Sequence, residues 1–516
     1  MKKYLNIIRK EICLTLLTGT LISLVMSMMT ILPGYLIDNC KNGISFVRKM
    51  VLIYAVLFMI YLLLSYLSNR VSDYRRIKFE RSLRKDFFAQ SISASWEQFS
   101  ELKTGEYISI LSNDMNELIQ NYLSPLMAVF TNLFTIIIYG VSMVLFVDPL
   151  IAIIIIGISI LMTFVPDLTS KKLSVLYDCY LSRLGKYTSV VGAFYSSKVF
   201  LDSKEINAIT SEHNRQIDQV LTANMKYRKR NSLAMVLNGG SVEAISCIAF
   251  ALIAIQLYSG RITVGMASAA FLYATKFMDP LYEFNVNIGR VKSTKEMKKK
   301  VLSILYRGSG TAALAFDSAY SLAIHDVTKK YGDKKISYQD YLFGGNKKYL
   351  VIGKNGTGKS TLLAILAGIL KPDCGGLFIN GKETSETLLD VISYLPQDGM
   401  IFPTDYWNNV TVYGAYSDQH LKKYEQMFPE EMIQAIKKNP DLETLSGGEK
   451  QIVCILRVLC SEKKFIIMDE PFSAMNQACI EKFIKSISPV KRTMIITAHN
   501  LNEYFDSFDE IIELDN

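Results

Sequence analysis

Charge disappears from this chain in long runs. None occurs in Ile12–Ile37, Met50–Asn69, Leu118–Val147 or Leu150–Pro166, and Asn231–Gly260 is interrupted only by Glu243. Ile262–Thr275 is shorter and continues into KFMDPLYEF. A helix that crosses a bilayer needs about 20 apolar residues, so these runs predict five membrane-spanning helices and a shorter sixth. The first run follows Met1-Lys2-Lys3, but it is too long for a signal-peptide core and no small-residue cleavage site follows it. A retained helix is expected. Between the second and third runs, and between the fourth and fifth, Ser72–Ser124 and Asp167–Arg230 hold few prolines or glycines. The spanning helices are therefore expected to continue far into the cytosol. Thr104-Gly105 reads as a break between two helical pieces, with short transverse helices expected near Asn113–Leu118 and Gly192–Val199.

Past residue 305 the period changes. Short apolar runs (YLVIG, FIIM, MIIT) alternate with turns and amphipathic helices, the pattern of an α/β domain. The chain thus divides into a membrane α-helical bundle, 1–305, a linker, 306–320, and an α/β nucleotide-binding domain, 321–516.

Charge orients the bundle. Arg70, Arg75, Arg76, Lys78, Arg81, Arg84 and Lys85 follow the second run, and KYRKR (226–230) precedes the fifth. Arg290, Lys292 and KEMKKK follow the sixth. Lysine and arginine concentrate on the cytoplasmic side of membrane helices. That places the N-terminus and the α/β domain in the cytoplasm, although Lys41, Arg48 and Lys49 run against the rule. The net charge of +9 is then accounted for by membrane anchors, and nucleic acid is not an expected partner. Half the residues are hydrophobic and mean hydropathy is +0.20. The eight cysteines are scattered, without CxxC or metal-ligand spacing, and read as free thiols.

The chemistry lies in the last third. GKNGTGKST, Gly353–Thr361, follows an apolar strand and opens a helix. It fits the phosphate cradle GxxxxGK[ST], in which backbone N–H groups of Gly353, Asn355, Gly356 and Gly358 face phosphate oxygens, Lys359 reaches the terminal phosphates and Ser360 holds Mg²⁺. Thr361 completes the motif. FIIMDE ends a strand in Asp469, a Mg²⁺ ligand through water, and Glu470, placed to polarise an attacking water. LSGGE puts Ser446, Gly447, Gly448 and Glu449 at a helix start, a second anion-binding terminus. Gln397 follows a strand with a side chain able to touch Mg²⁺ and water. His499 follows another, within reach of a γ-phosphate. Tyr331 precedes the cradle at a distance suited to stacking on an adenine.

The order Tyr331, GKNGTGKST, Gln397, LSGGE, IIMDE, SAMN, His499 resembles the nucleotide-binding domain of ATP-binding cassette (ABC) proteins, and TGEYISILSNDMNEL resembles the first intracellular region of six-helix ABC exporters. The resemblance covers nearly the whole chain. It implies ATP and Mg²⁺ as cofactors, with Glu470, His499, Gln397 and Lys359 catalytic. It also implies an integral protein of a bacterial cell membrane, in which two cassettes enclose two ATP between the phosphate cradle of one and the signature of the other. With one cassette per chain, the expected partner is a second copy or a homologous half-transporter. Export of a peptide or small amphipathic compound is expected, with Glu243 a possible cargo contact; an importer, or a cassette that regulates a partner, is the alternative reading. Three departures stand out. The aspartate usual in the D-loop is Asn476, the arginine usual after the signature is replaced within EKQIV by Ile452, and Leu445 stands 48 positions after Gln397, short for the family. Weaker communication between sites and a trimmed helical subdomain are expected from them. No domain stands ahead of the first span, so no peptidase module is expected there.

Overall fold

The structure, a computed structural model, describes residues 1–162, 165–306, 321–332, 334–498 and 502–514. It divides into two compact units: Met1–Gln90 with Thr104–Tyr306, and Ser91–Lys103 with the C-terminal residues from Arg307. The linker expected at 306–320 lies, beyond Tyr306, outside the described residues.

The first unit is helical: α1 (Lys2–Ile7), α2 (Arg9–Asn39) and α3 (Ile44–Ile92), then the run Thr104–Phe146. In that run the α-helical pieces α5 (Thr104–Ser109), α6 (Met115–Leu118) and α7 (Ser124–Phe146) alternate with π turns. α8 (Pro149–Met162), α9 (Val165–Ser196), α10 (Ser203–Tyr258), α11 (Val264–Ser293) and α12 (Lys295–Leu305) follow. Among the described residues, Arg9–Asn42, Ile44–Ile92 and Thr104–Phe146 are long and apolar enough to cross a membrane. Pro149–Ile158 and Glu243–Tyr258 are apolar but shorter. Lys276, Asp279 and Glu283 dilute the apolar stretch of α11. The count of six remains an expectation.

Small residues bring α2 and α11 together. A Cβ on Gly34 would lie 2.3 Å from the Gly265 carbonyl oxygen, so the backbones meet at a distance that only glycine permits. Asp38 locks the crossing, accepting from the Gly265 N–H at 2.7 Å and from the Thr263 hydroxyl. α2 also carries a buried stripe of hydroxyls, Thr15, Thr18, Ser23, Ser27 and Thr30, hidden within a run that reads simply as apolar.

The short elements expected between the long helices differ in position from expectation. The short helix α4 is Trp96–Ser100, capped by Ser95, and the chain breaks at Glu101–Lys103 before α5 begins at Thr104. Asn113–Leu118 lies inside the continuous helical run. The serine cap ahead of Trp96 starts a helix there, whereas nothing after Gly105 interrupts one. The second bend is a 3-10 turn at Ser197–Phe200, after which Asp202 and Glu205 form a capping box that starts α10.

The second unit carries two sheets. β1 (Ser321–Tyr331), β2 (Lys334–Ser337), β3 (Tyr341–Gly344), β5 (Cys374–Ile379) and β6 (Lys382–Thr384) are antiparallel, in the order β2-β1-β5-β6 with β3 also on β1. β4 (Lys348–Gly353), β7 (Ile392–Leu395), β8 (Phe465–Met468), β9 (Thr493–Thr497) and β10 (Glu510–Leu514) form a parallel sheet, ordered β10-β4-β9-β8-β7. Its strands read as continuous apolar runs because both faces are covered. One face packs with α13 (Lys359–Leu366) against the antiparallel sheet. The other packs against α17 (Gly447–Cys460) and α18 (Gln477–Ile487). The interval short for the family holds α14 (Tyr406–Thr411), α15 (Asp418–Glu425) and α16 (Glu430–Lys438).

Candidate functional site

The carboxyl ends of β4, β7, β8 and β9 bring Lys359, Gln397, Asp469 and Glu470 together. β4 delivers Gly353, and the loop turns into α13 over five residues. Gly353, Gly356 and Gly358 have φ of +154°, +83° and +98°. At Gly358 the space is closed as well, since a Cβ would lie 2.6 Å from the Tyr338 hydroxyl and 2.9 Å from Ile336. The loop is braced from outside: Tyr338 donates to the Gly358 carbonyl and Lys334 to that of Gly356, each at 2.8 Å. Asn355 and Gly356 stay exposed at its tip, and Ser360 is exposed in the first turn of α13.

Lys359 is 5% exposed, and its ammonium donates to the carbonyls of Gly353 (2.8 Å) and Lys354 (3.2 Å). Burial pushes its pKa below the usual lysine value, opposed by the nearby charges of Glu470 and Asp469. The loop thus holds a partly desolvated cation, a fit for an anion with several oxygens.

β8 is buried at every position, and Asp469, 2% exposed, directly follows it. Glu470 has φ +46°, a left-handed conformation unusual for a side-chain-bearing residue. Thr497, at the end of β9 and fully buried, holds both: its hydroxyl donates to Asp469 Oδ1 at 2.8 Å and accepts from the Glu470 N–H at 2.8 Å. Gln397 Nε2 donates to Glu470 Oε2 at 3.2 Å. Motif reading singled out neither Thr497 nor the braces Tyr338 and Lys334. The one available signal for Thr497 is a hydroxyl closing the otherwise apolar MIIT. Thr497→Val keeps the shape but leaves the Glu470 N–H without its partner, a loss worth about 1–3 kcal/mol. A roughly tenfold to hundredfold fall in turnover is expected, measurable as phosphate release; an unchanged rate would show that this tether does not hold the acids.

Tyr331 ends β1, half exposed, with its hydroxyl 3.5 Å from that of Thr361. Ser446 caps α17 and forms a capping box with Glu449. Gly448 lies so close to the chain at Ala474 that a Cβ would be 2.5 Å from the Ala474 oxygen. Gln451 ties the same turn through Ser473 (2.6 Å) and the Ala474 N–H (3.0 Å). Among the described residues no hydrogen bond or ion pair joins this signature turn to the phosphate loop. Asn476 caps α18, accepting from the Cys479 N–H at 2.9 Å, a role open to Asp and Asn alike. Ile452 is fully buried in the core. His499 lies outside the described residues. Glu243 is exposed on α10, in the first unit.

Two family models match this chain: "ABC transporter" over residues 342–473, and "ABC transporter transmembrane region" over residues 12–194. The lipopolysaccharide export system ATP-binding protein LptB of Haemophilus influenzae is 31% identical over 202 residues, 36% of this chain and 83% of that one. The chain belongs to the ABC transporter family. A relative from Rickettsia felis, named as an export ATP-binding/permease protein, is 23% identical across 99% of this chain and 93% of its own. Three other relatives match 35–37% of this chain, which spans 57%, 28% and 63% of their lengths. Among solved structures, a bacterial Atm1-family ABC exporter with ATP bound superposes with a TM-score of 0.74 at 18% identity, covering 99% of this chain and 94% of that one. The fold is therefore an ABC exporter fold, a helical membrane region joined to an ATP-binding cassette, which makes the chain an integral membrane protein. The Ser446 and Gly353 elements both lie within the residues that the ABC transporter model matches.

Proposed function

We propose that this chain is one half of an ATP-driven exporter, with its cassette and N-terminus on the cytoplasmic side. It acts as a homodimer in which each ATP lies between the phosphate loop of one copy and the signature of the other. The observation that carries the reading is the meeting of Lys359, Asp469, Glu470 and Gln397 at the strand ends of a cassette fused to an exporter-type membrane region. The separation of the signature turn from the phosphate loop within one chain supports the two-copy arrangement.

In this reading Lys359 leaves the loop carbonyls for the β- and γ-phosphates, and the loop N–H groups hold the remaining oxygens. Ser360, Gln397 and Asp469 would hold Mg²⁺, which neutralises phosphate charge. Glu470, fixed by Gln397 and the Thr497 tether, orients and deprotonates the attacking water. His499 contacts the γ-phosphate. Cassette closure drives the membrane halves from inward- to outward-facing, and hydrolysis resets them. The cargo is a peptide or a small amphipathic compound, met by spans rich in aliphatic and aromatic residues, with Glu243 a contact for a cationic group.

Tyr331 stacks on the adenine, since the open end of β1 offers a flat apolar face beside Thr361. Tyr331→Ala is expected to weaken ATP binding about tenfold, and Tyr331→Trp to preserve it; equal affinities by equilibrium titration would place the base elsewhere. Direction is tested in vesicles. Inside-out vesicles should accumulate a labelled apolar peptide when ATP is supplied. Accumulation only in right-side-out vesicles loaded with ATP would replace export by import.

A further inference from the structure

Lys276 stands about 18 Å along α11 from Val264, so if α11 spans as its sequence leads one to expect, Lys276 lies more than half-way into a hydrocarbon layer about 30 Å thick. No Lys, Arg or His occurs in Ile12–Ile37, Met50–Asn69, Leu118–Val147, Leu150–Pro166 or Asn231–Gly260, so no second cation shares its depth in those runs. Asp279, one turn further on, is the sequence-adjacent acid that helical spacing would pair with it. The structure gives Lys276 a different partner. Its ammonium donates to the Thr30 hydroxyl of α2 at 3.2 Å, and no ion pair to it occurs among the described residues. Thr30 in turn donates to the Met26 carbonyl at 2.7 Å. One turn back on α11, the Tyr273 hydroxyl donates to the Ser27 carbonyl at 2.8 Å, and the Ser27 hydroxyl donates to that of Ser142 on α7 at 2.7 Å. Three helices thus converge on a patch of hydroxyls with one half-buried ammonium at its edge. An ammonium has three donors and no acceptor. Here one donor is matched, by a neutral oxygen, in a layer where an uncompensated charge is costly.

We propose that Lys276 is a binding point for a carboxylate on a cargo with an apolar body. The inference rests on the transporter reading and narrows its cargo. A carboxylate completes the ammonium's hydrogen bonds and neutralises it, while the rest of the molecule lies against aliphatic and aromatic surface. A peptide's C-terminus and a fatty acid both present this chemistry.

The full-length protein in phosphatidylcholine nanodiscs, without ATP, tests it through equilibrium binding of radiolabelled N-acetyl-Leu-Phe-Leu with a free or an amidated C-terminus. The acid is expected to bind at least tenfold tighter than the amide. Lys276→Met should bring the two within threefold, and Lys276→Arg should restore most of the difference. If the Met variant does not assemble, Lys276→Gln serves the same comparison. Dodecanoate, but not dodecylamine, should displace the acid. Equal binding of acid and amide, no binding of the acid, displacement by both detergents alike, or a preference that survives in the Met or Gln variant would each overturn the proposal. ATP turnover is measured separately in the unmutated protein: its absence would indict the transporter reading, while the acid–amide comparison stands by itself.

Discussion

Glu470→Gln is expected to lower ATP turnover by about 10²- to 10⁴-fold, the usual contribution of a positioned general base, while ATP still binds. The argument is geometric. Glutamine is nearly isosteric, and it keeps a carbonyl oxygen where Gln397 Nε2 now donates to Glu470 Oε2. The backbone tether is untouched, because the Glu470 N–H reaches Thr497 whatever the side chain. The left-handed φ of +46° is held by that tether and by the buried strand before it, and neither changes. What changes is charge and basicity at one atom. Nucleotide affinity, measured with a fluorescent ATP analogue, should therefore stay within a fewfold of the unmutated protein, while phosphate release collapses. Release within tenfold of normal would remove Glu470 from its role as base and pass that role to another group near Asp469.

Sequence and structure agree best where covalent geometry leaves little choice. The phosphate loop was legible because three left-handed backbone positions demand glycine at fixed intervals, and because strand and helix must flank them. The strands YLVIG, FIIM and MIIT were legible because strands covered on both faces are uniformly apolar. Gln397 stood out by its position after a strand, as a contact for Mg²⁺ and water, and the structure adds its hydrogen bond to Glu470. Other features were hidden for physical reasons. Thr497 acts through one hydroxyl at a strand end, and threonine is an ordinary strand residue. The hydroxyl stripe of α2 was invisible because serine and threonine carry no charge and can satisfy themselves on their own helix backbone. Asn476 looked like a lost charge, but its observed hydrogen bond is a helix cap that needs an acceptor and no charge. The break expected at Thr104-Gly105 falls at Glu101–Lys103 instead, because the Ser95 cap sets the start of α4 and the chain leaves the helix after Ser100. Lys276 shows the same limit: spacing along one helix suggested Asp279, and only packing between helices revealed Thr30.

Lys359→Met should separate folding from function by moving them in opposite directions. In the folded cassette the Lys359 ammonium is desolvated, and burial is the largest cause of its lowered pKa. A cationic group with a lowered folded-state pKa destabilises the fold at neutral pH. That penalty fades only as pH rises from the folded-state value toward the ordinary lysine value, where the group loses its charge in both states. The carbonyls of Gly353 and Lys354, with the charges of Asp469 and Glu470, offset part of this cost. Methionine keeps the length of the side chain and removes the charge. The nucleotide-free protein should thus melt at the same temperature or slightly above, with the gain shrinking at high pH. With ATP the order reverses. Bound at a hundred times its dissociation constant, a ligand adds about 2.7 kcal/mol of stability, and the unmutated cassette should show the corresponding rise in midpoint. The Met variant, lacking the cation that meets the terminal phosphates, should lose most of that rise. Its turnover should fall by about 10²- to 10³-fold, the scale of losing one preorganised donor to a developing charge. A variant that melts much lower without nucleotide would mean that Lys359 serves the fold, and one that keeps the full ATP-induced rise would mean that the phosphates are held without it.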